Sequence, residues 1–159
     1  MSARSAGLVL YRRVEGAIEI LAVHPGGPFW ARKDDGAWSI PKGELDDETD
    51  ELAVARREFA EELGVEAPDG PVLDLGEIRQ RGGKRVRAFA VEGELDPSTV
   101  ISNTVEIEWP PRSGQRLEIP EVDRAEWFAP ERAREKLNAA QVPFVDRLLE
   151  LLAEPEGKV

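Results

Sequence analysis

Short stretches of apolar and β-branched residues, with polar positions between them, mark Gly7 to Tyr11 and Ile18 to Val23 as strands. The polar connection from Arg12 to Gly16 joins them as a hairpin, and Pro25-Gly-Gly-Pro28 ends the second strand. Trp30 to Gly36 is loop-like, Trp38 to Ile40 suggests a further short strand, and an acidic loop follows from Gly43 to Asp50. The clearest helix runs from Glu51 to Leu63. It contains no Gly or Pro, has Asp50 in place as N-cap and Gly64 as its stop, and repeats Leu52, Ala55, Phe59 and Leu63 at helical spacing.

Beyond this helix, Val72 to Arg79 and Arg85 to Glu92 read as strands around a Gly82-Gly83 turn. Val105 to Trp109 and Ala125 to Phe128 read as two more strands, and Pro130 to Leu137 and Pro143 to Ala153 as helices. Strands, one helix, strands and then helices predict an α/β fold: a mixed sheet covered on both faces, an α/β/α sandwich. Residues 1–153 are expected to form one domain, followed by a frayed tail at 154–159.

Composition narrows the chemistry. Among 159 residues there is no cysteine and one histidine, which excludes thiolate metal sites, disulfides and cysteine nucleophiles. A formal charge of −11 argues against nucleic acid or anionic lipid as partner and requires a local remedy for any anionic ligand. No apolar run approaches a membrane span or a signal-peptide core, so a cytoplasmic location is expected.

Glu58, Glu61 and Glu62 stand at i, i+3 and i+4, so a helix presents all three carboxylates on one face within a turn. Taken alone, that spacing also suits a solvated acidic face relieved by Arg56 and Arg57. Three crowded like charges are otherwise best satisfied by a hard divalent cation, and Mg²⁺ combines a few carboxylates with the phosphates of a substrate. Cationic residues gather locally at Arg79, Arg81, Lys84, Arg85 and Arg87, with Arg85 and Arg87 on one sheet face and Lys42 beside Gly43. Trp30 and Trp109 border loops and are candidates for stacking on a base, whereas Trp38 and Trp127 are expected in the core and His24 at a strand end.

Gly43, Arg57, Glu58, Phe59, Glu61, Glu62, Gly64 and Val65 align without a gap to G-x5-E-x7-R-E-U-x-E-E-x-G-U, U being apolar, so the chain resembles the Nudix hydrolases. Trp38-Ser-Ile-Pro-Lys-Gly43 and Arg4 to Arg12 look most like the small branch that splits diadenosine tetraphosphate into ATP and AMP. The resemblance implies a loop–helix–loop catalytic motif and a metal-dependent pyrophosphohydrolase acting on a nucleoside diphosphate linked to another group. It implies Mg²⁺ or Mn²⁺ on Glu58, Glu61, Glu62 and the Gly43 carbonyl, with Arg57 orienting Glu58 and either Glu58 or Glu62 as proton acceptor. Glu121 is the candidate for a further ligand from a late loop, with Glu106 and Glu108 as competitors. Lys42, Arg85, Arg87 and Trp109 are the candidate substrate contacts, and the partner is a small nucleotide. One position departs from the pattern: Thr49 stands where the motif has its first glutamate, with Glu48 beside it. That departure keeps open a nucleotide-binding domain without hydrolysis, and a nucleoside triphosphate pyrophosphatase shares the same catalytic helix.

Overall fold

A computed structural model describes residues 3–47 and 50–153, so Glu48, Thr49 and the expected frayed tail at 154–159 lie outside the described residues. The strands are β1 (Arg4–Val14), β2 (Ala17–Pro25), β3 (Lys42–Glu44), β4 (Val72–Arg79), β5 (Arg85–Glu92), β6 (Thr104–Glu108), β7 (Arg116–Pro120) and β8 (Val122–Phe128). The helices are α1 (Glu51–Leu63), α2 (Pro130–Lys136) and α3 (Val142–Ala153). The main sheet runs β4-β5-β1-β2-β8, with β3 on β1. It is mixed, because β1 pairs parallel with β5 and antiparallel with β2 and β3.

Strand alternation divides the core into two layers. Ala6, Leu8 and Leu10 of β1 face α1, meeting Val54, Ala55, Phe59 and Leu63, while Val9 and Tyr11 face Ala133, Phe144, Val145 and Leu148 on the opposite side. The α/β/α sandwich expected from the sequence is therefore the architecture observed. Gly7 allows β1 to run against the segment leading into β3, since a Cβ there would lie 2.7 Å from the Pro41 carbonyl oxygen.

Two expectations need correction. Trp38 to Ile40 is not a strand; Ser39 and Trp38 make isolated bridges to Val23 and Leu137. The extended run begins later, at Lys42, so the segment read as an acidic loop from Gly43 opens as β3. Strand β7 was not expected, because only Leu117 and Ile119 alternate in a polar stretch. It pairs with β6 in a separate hairpin, Val105 opposite Ile119 and Ile107 opposite Leu117.

Candidate active site

Helix α1 starts and stops where its residues dictate. The Asp50 carboxylate accepts from Ala53 N at 3.1 Å, and Gly64 adopts φ 76°, with its N–H donating to the Ala60 carbonyl. The sheet layer beneath it fixes rotation: Phe59 and Leu63 are buried, and the adjoining flank carries Glu58, Glu61 and Glu62 toward β3 and the loop before β8. Glu61 is exposed, Glu58 half-buried, and Glu62 only 4% exposed.

Strand β3 supplies the other wall. The backbone N–H of Lys42 donates to Glu62 Oε2 at 3.3 Å. Gly43 lies so near Glu58 that a Cβ would stand 1.8 Å from Oε1, so any side chain here would push the Glu58 carboxylate out of its place. Glycine thus leaves room for the Glu58 carboxylate by close approach and not by an unusual backbone angle.

Glu121 arrives from the turn between β7 and β8 through a relay at the end of α1. Asn103 N donates to the Glu61 carbonyl at 2.9 Å, and Glu121 N donates to the Asn103 carbonyl at 3.0 Å. The Asn103 side-chain amide also donates to Glu121 Oε1 at 3.0 Å. A cavity of about 170 Å³ lies here, with Lys42, Glu62, Glu121 and Ser39 among its walls. Asn103 has no signal in the sequence that would single it out, since its role depends on two carbonyl contacts made only in the fold.

The electrostatics follow from burial. Burial first, then the charges of Glu121 and Glu58, raise Glu62 from 4.5 to about 9, against the pull of Lys42. Burial and then the neighbouring Glu61 carboxyl raise Glu58 from 4.5 to about 7, with Glu121 adding to the effect and Arg57 opposing it. Lys42 is pushed below the ordinary lysine value by burial and then by Lys84. The site therefore concentrates acidic groups that are costly to ionise without a nearby cation.

Among the described residues, no three His, Asp or Glu side chains converge as a closed metal-binding set. The donors nonetheless fit a hard ion: all are oxygens, they sense one another's charge, and Mg²⁺ ordinarily uses one or two carboxylates and completes its shell with water and phosphate.

The remaining candidates are placed differently. Arg57 lies on α1 with its Nε 4.0 Å from Glu61. Arg87 faces α1 as alternation required, but it pairs with Asp74 and lies 3.7 Å from Glu51, seven residues and roughly 10 Å before Glu58 along the helix. Arg85 is exposed at the start of β5, and Trp109 lies at the end of the β6–β7 hairpin. Neither arginine nor Trp109 is among the residues lining the cavities beside Glu121. Glu106 pairs with Arg116, and Glu108 accepts from Arg112 N and Gly114 N within the hairpin turn. Of the three late acids, Glu121 is the one beside Glu62. Trp38 is core as expected; Trp127 is half-buried, its indole N–H donating to the Leu95 carbonyl and its ring 4.2 Å from the Arg12 guanidinium.

Comparison with known proteins places these features in context. Residues 1–148 match the family model of the NUDIX domain. An RNA pyrophosphohydrolase of Rhizobium meliloti (strain 1021) is 31% identical over 127 residues, covering 71% of this chain and 68% of that protein. The Ap4A hydrolase of C. elegans superposes with a TM-score of 0.61 at 22% identity, over 96% of this chain and all of that one (100%). The NUDIX domain of Shewanella oneidensis NrtR, solved with ADP ribose, gives a TM-score of 0.64 at 14% identity, over 96% of this chain and 90% of that one.

Proposed function

Because the chain belongs to the Nudix family and is a phosphoanhydride hydrolase, we propose that it cleaves a dinucleoside polyphosphate such as diadenosine tetraphosphate in a reaction dependent on Mg²⁺ or Mn²⁺. The observation that carries this reading is the meeting of Glu62 and Glu121 with Lys42 in one cavity, beside Glu58 and the glycine it abuts. A divalent cation held by Glu58, Glu61, Glu62, Glu121 and the Gly43 carbonyl supplies charge neutralisation of the phosphates and a more acidic water. The residues divide the remaining work. Lys42 holds a phosphate oxygen, Arg57 orients Glu58, and Glu58 or Glu62 takes the proton of the attacking water. Arg85, Arg87 and Trp109 remain secondary candidates for contact with the distal part of the substrate.

The relative named an RNA pyrophosphohydrolase favours a second reading, in which the polyphosphate is the 5′ end of an RNA. The formal charge of −11 favours a small molecule, since the body of an RNA gains no general attraction from this surface. Among the described residues no helix is long and apolar enough to cross a membrane, and the reading places the protein in the cytoplasm.

The experiment is a competition among diadenosine tetraphosphate, nucleoside triphosphates and 5′-triphosphorylated RNA with Mg²⁺, products being separated by ion exchange. Preferential conversion of the dinucleotide to ATP and AMP supports the proposal. Preference for RNA replaces it with the second reading, and nucleotide binding without turnover by any substrate assigns the chain to the non-hydrolysing class.

A further inference from the structure

A second cavity, of about 290 Å³, adjoins the carboxylate cavity and shares Pro25 and Glu121 with it. Its walls have a different character. Phe29 and Trp30, from the loop after β2, face Val105, Ile107 and Ile119 of the β6–β7 hairpin.

The hairpin sequence explains the apolar wall. Val105 and Ile107 alternate with Glu106 and Glu108, and pairing brings Ile119 opposite Val105, so the three aliphatic side chains share one face. A two-stranded hairpin is marginal by itself and needs a covering element. The loop supplies part of that cover: a Cβ on Gly27 would lie 2.6 Å from Ile119 Cδ1. The cover is incomplete, leaving Phe29 53% and Val105 36% exposed.

The aromatic wall is pre-set. His24, fully buried, donates through Nε2 to the Lys33 carbonyl at 2.6 Å and holds Asp123 at 2.9 Å through Nδ1, tying the far end of the loop to β2 and β2 to β8. Within the loop, Phe29 and Trp30 pack edge to face at 5.0 Å, and the Lys33 ammonium lies 3.6 Å from the Phe29 centroid.

Of the lining side chains, only Trp30 and Glu121 carry polar atoms, and Asn103 already donates to Glu121. An occupant that matches these walls is uncharged and apolar-faced, and it can continue past Pro25 and Glu121, which line both cavities, into the carboxylate cavity. We infer that this cavity is the nucleobase subsite, in which Phe29, Trp30, Ile107 and Ile119 grip one base by its faces without reading its hydrogen-bonding edge. The inference rests on the polyphosphate site proposed above and extends it to the nucleoside. Its volume is at the small end of the roughly 300–1,000 Å³ of ligand pockets, which suits one base and leaves any second nucleoside outside.

Edge-blind contact has a consequence for specificity. Apolar walls separate ligands of similar shape weakly, so adenine and guanine nucleotides are expected to bind within about tenfold of each other.

The test measures equilibrium binding to the full chain in Mg²⁺, using a methylene-bridged diadenosine tetraphosphate analogue, its guanine counterpart and inorganic tripolyphosphate. Phe29→Ala, at an exposed position, and Ile107→Asp, in the hairpin wall, are expected to weaken the nucleotide analogue about tenfold or more. Tripolyphosphate affinity is expected to stay within about twofold of wild type, a margin small on the same scale. Equal weakening of nucleotide and tripolyphosphate, or unchanged nucleotide affinity in a folded Phe29→Ala protein, overturns the subsite. A preference between the two bases well beyond about tenfold overturns the edge-blind part. Because the readout is binding, loss of the hydrolase reading would appear separately, as wild-type protein that binds the analogue but turns over no nucleotide.

Discussion

Glu62 combines near-complete burial with two acidic neighbours, Glu58 and Glu121, and its behaviour should differ from that of a surface glutamate. A carboxyl raised from 4.5 to about 9 on folding contributes fully below the lower value and loses that contribution as pH rises through the upper one. At about pH 8 without metal it therefore opposes folding, and Glu62→Gln should melt higher than wild type, the difference shrinking toward the unfolded-state value. The same substitution should lower kcat by about a hundredfold or more, so a melting curve and a turnover assay should move in opposite directions. Gly43→Ala tests the neighbouring constraint. Its Cβ displaces Glu58, which a Cβ would approach to 1.8 Å, and turnover should fall by roughly tenfold or more while the circular dichroism spectrum is retained. Much of this site was legible in the sequence because E-x-x-E-E on a helix has only one geometric outcome. Asn103 was not legible, since its bonds to the Glu61 carbonyl and to the backbone and carboxylate of Glu121 form only after folding. The glutamate missing at Thr49, where Glu48 stands next to it, falls outside the described residues.

Helix α1 transmits core packing to the face that carries Glu58, Glu61 and Glu62. Phe59 is fully buried against the β1 layer, one residue from Glu58. Phe59→Ala should cost about 3–5 kcal/mol of stability, measurable as a lower urea midpoint, because it opens the layer that fixes the helix rotation. At this scale the periodic segments were readable, and α1 has the predicted bounds, Glu51–Leu63. Segments without a period were harder. β7 is a strand because β6 pairs with it, and Trp38 to Ile40 is irregular although its residues favour extension. Tertiary pairing decided both, and neither partner is apparent from local sequence.

Across the molecule, acidic charge is excessive overall and concentrated further at one cavity, an arrangement that favours cation binding over compactness. In the proposed centre, protons and a divalent ion would compete for the same carboxylates. With Glu58 raised to about 7 and Glu62 to about 9, the rise in Tm produced by Mg²⁺ should be larger at about pH 8.5 than at about pH 6.5, as followed by scanning calorimetry. The sheet-and-layer plan was readable from element order alone, whereas the second cavity was not. It arises where the loop after β2 meets a hairpin about 75 residues later in the chain, a contact no sequence window contains.

The central claim is that the carboxylates of α1 and the loop before β8 form a metal-dependent centre for phosphoanhydride hydrolysis. Its most direct test is the initial rate of diadenosine tetraphosphate cleavage by wild type and Glu62→Gln across a Mg²⁺ titration, with an EDTA control. The account predicts saturable, metal-dependent release of ATP and AMP by wild type and near-complete loss in the variant. Equal rates in the two proteins, or hydrolysis that persists undiminished in EDTA, would contradict it.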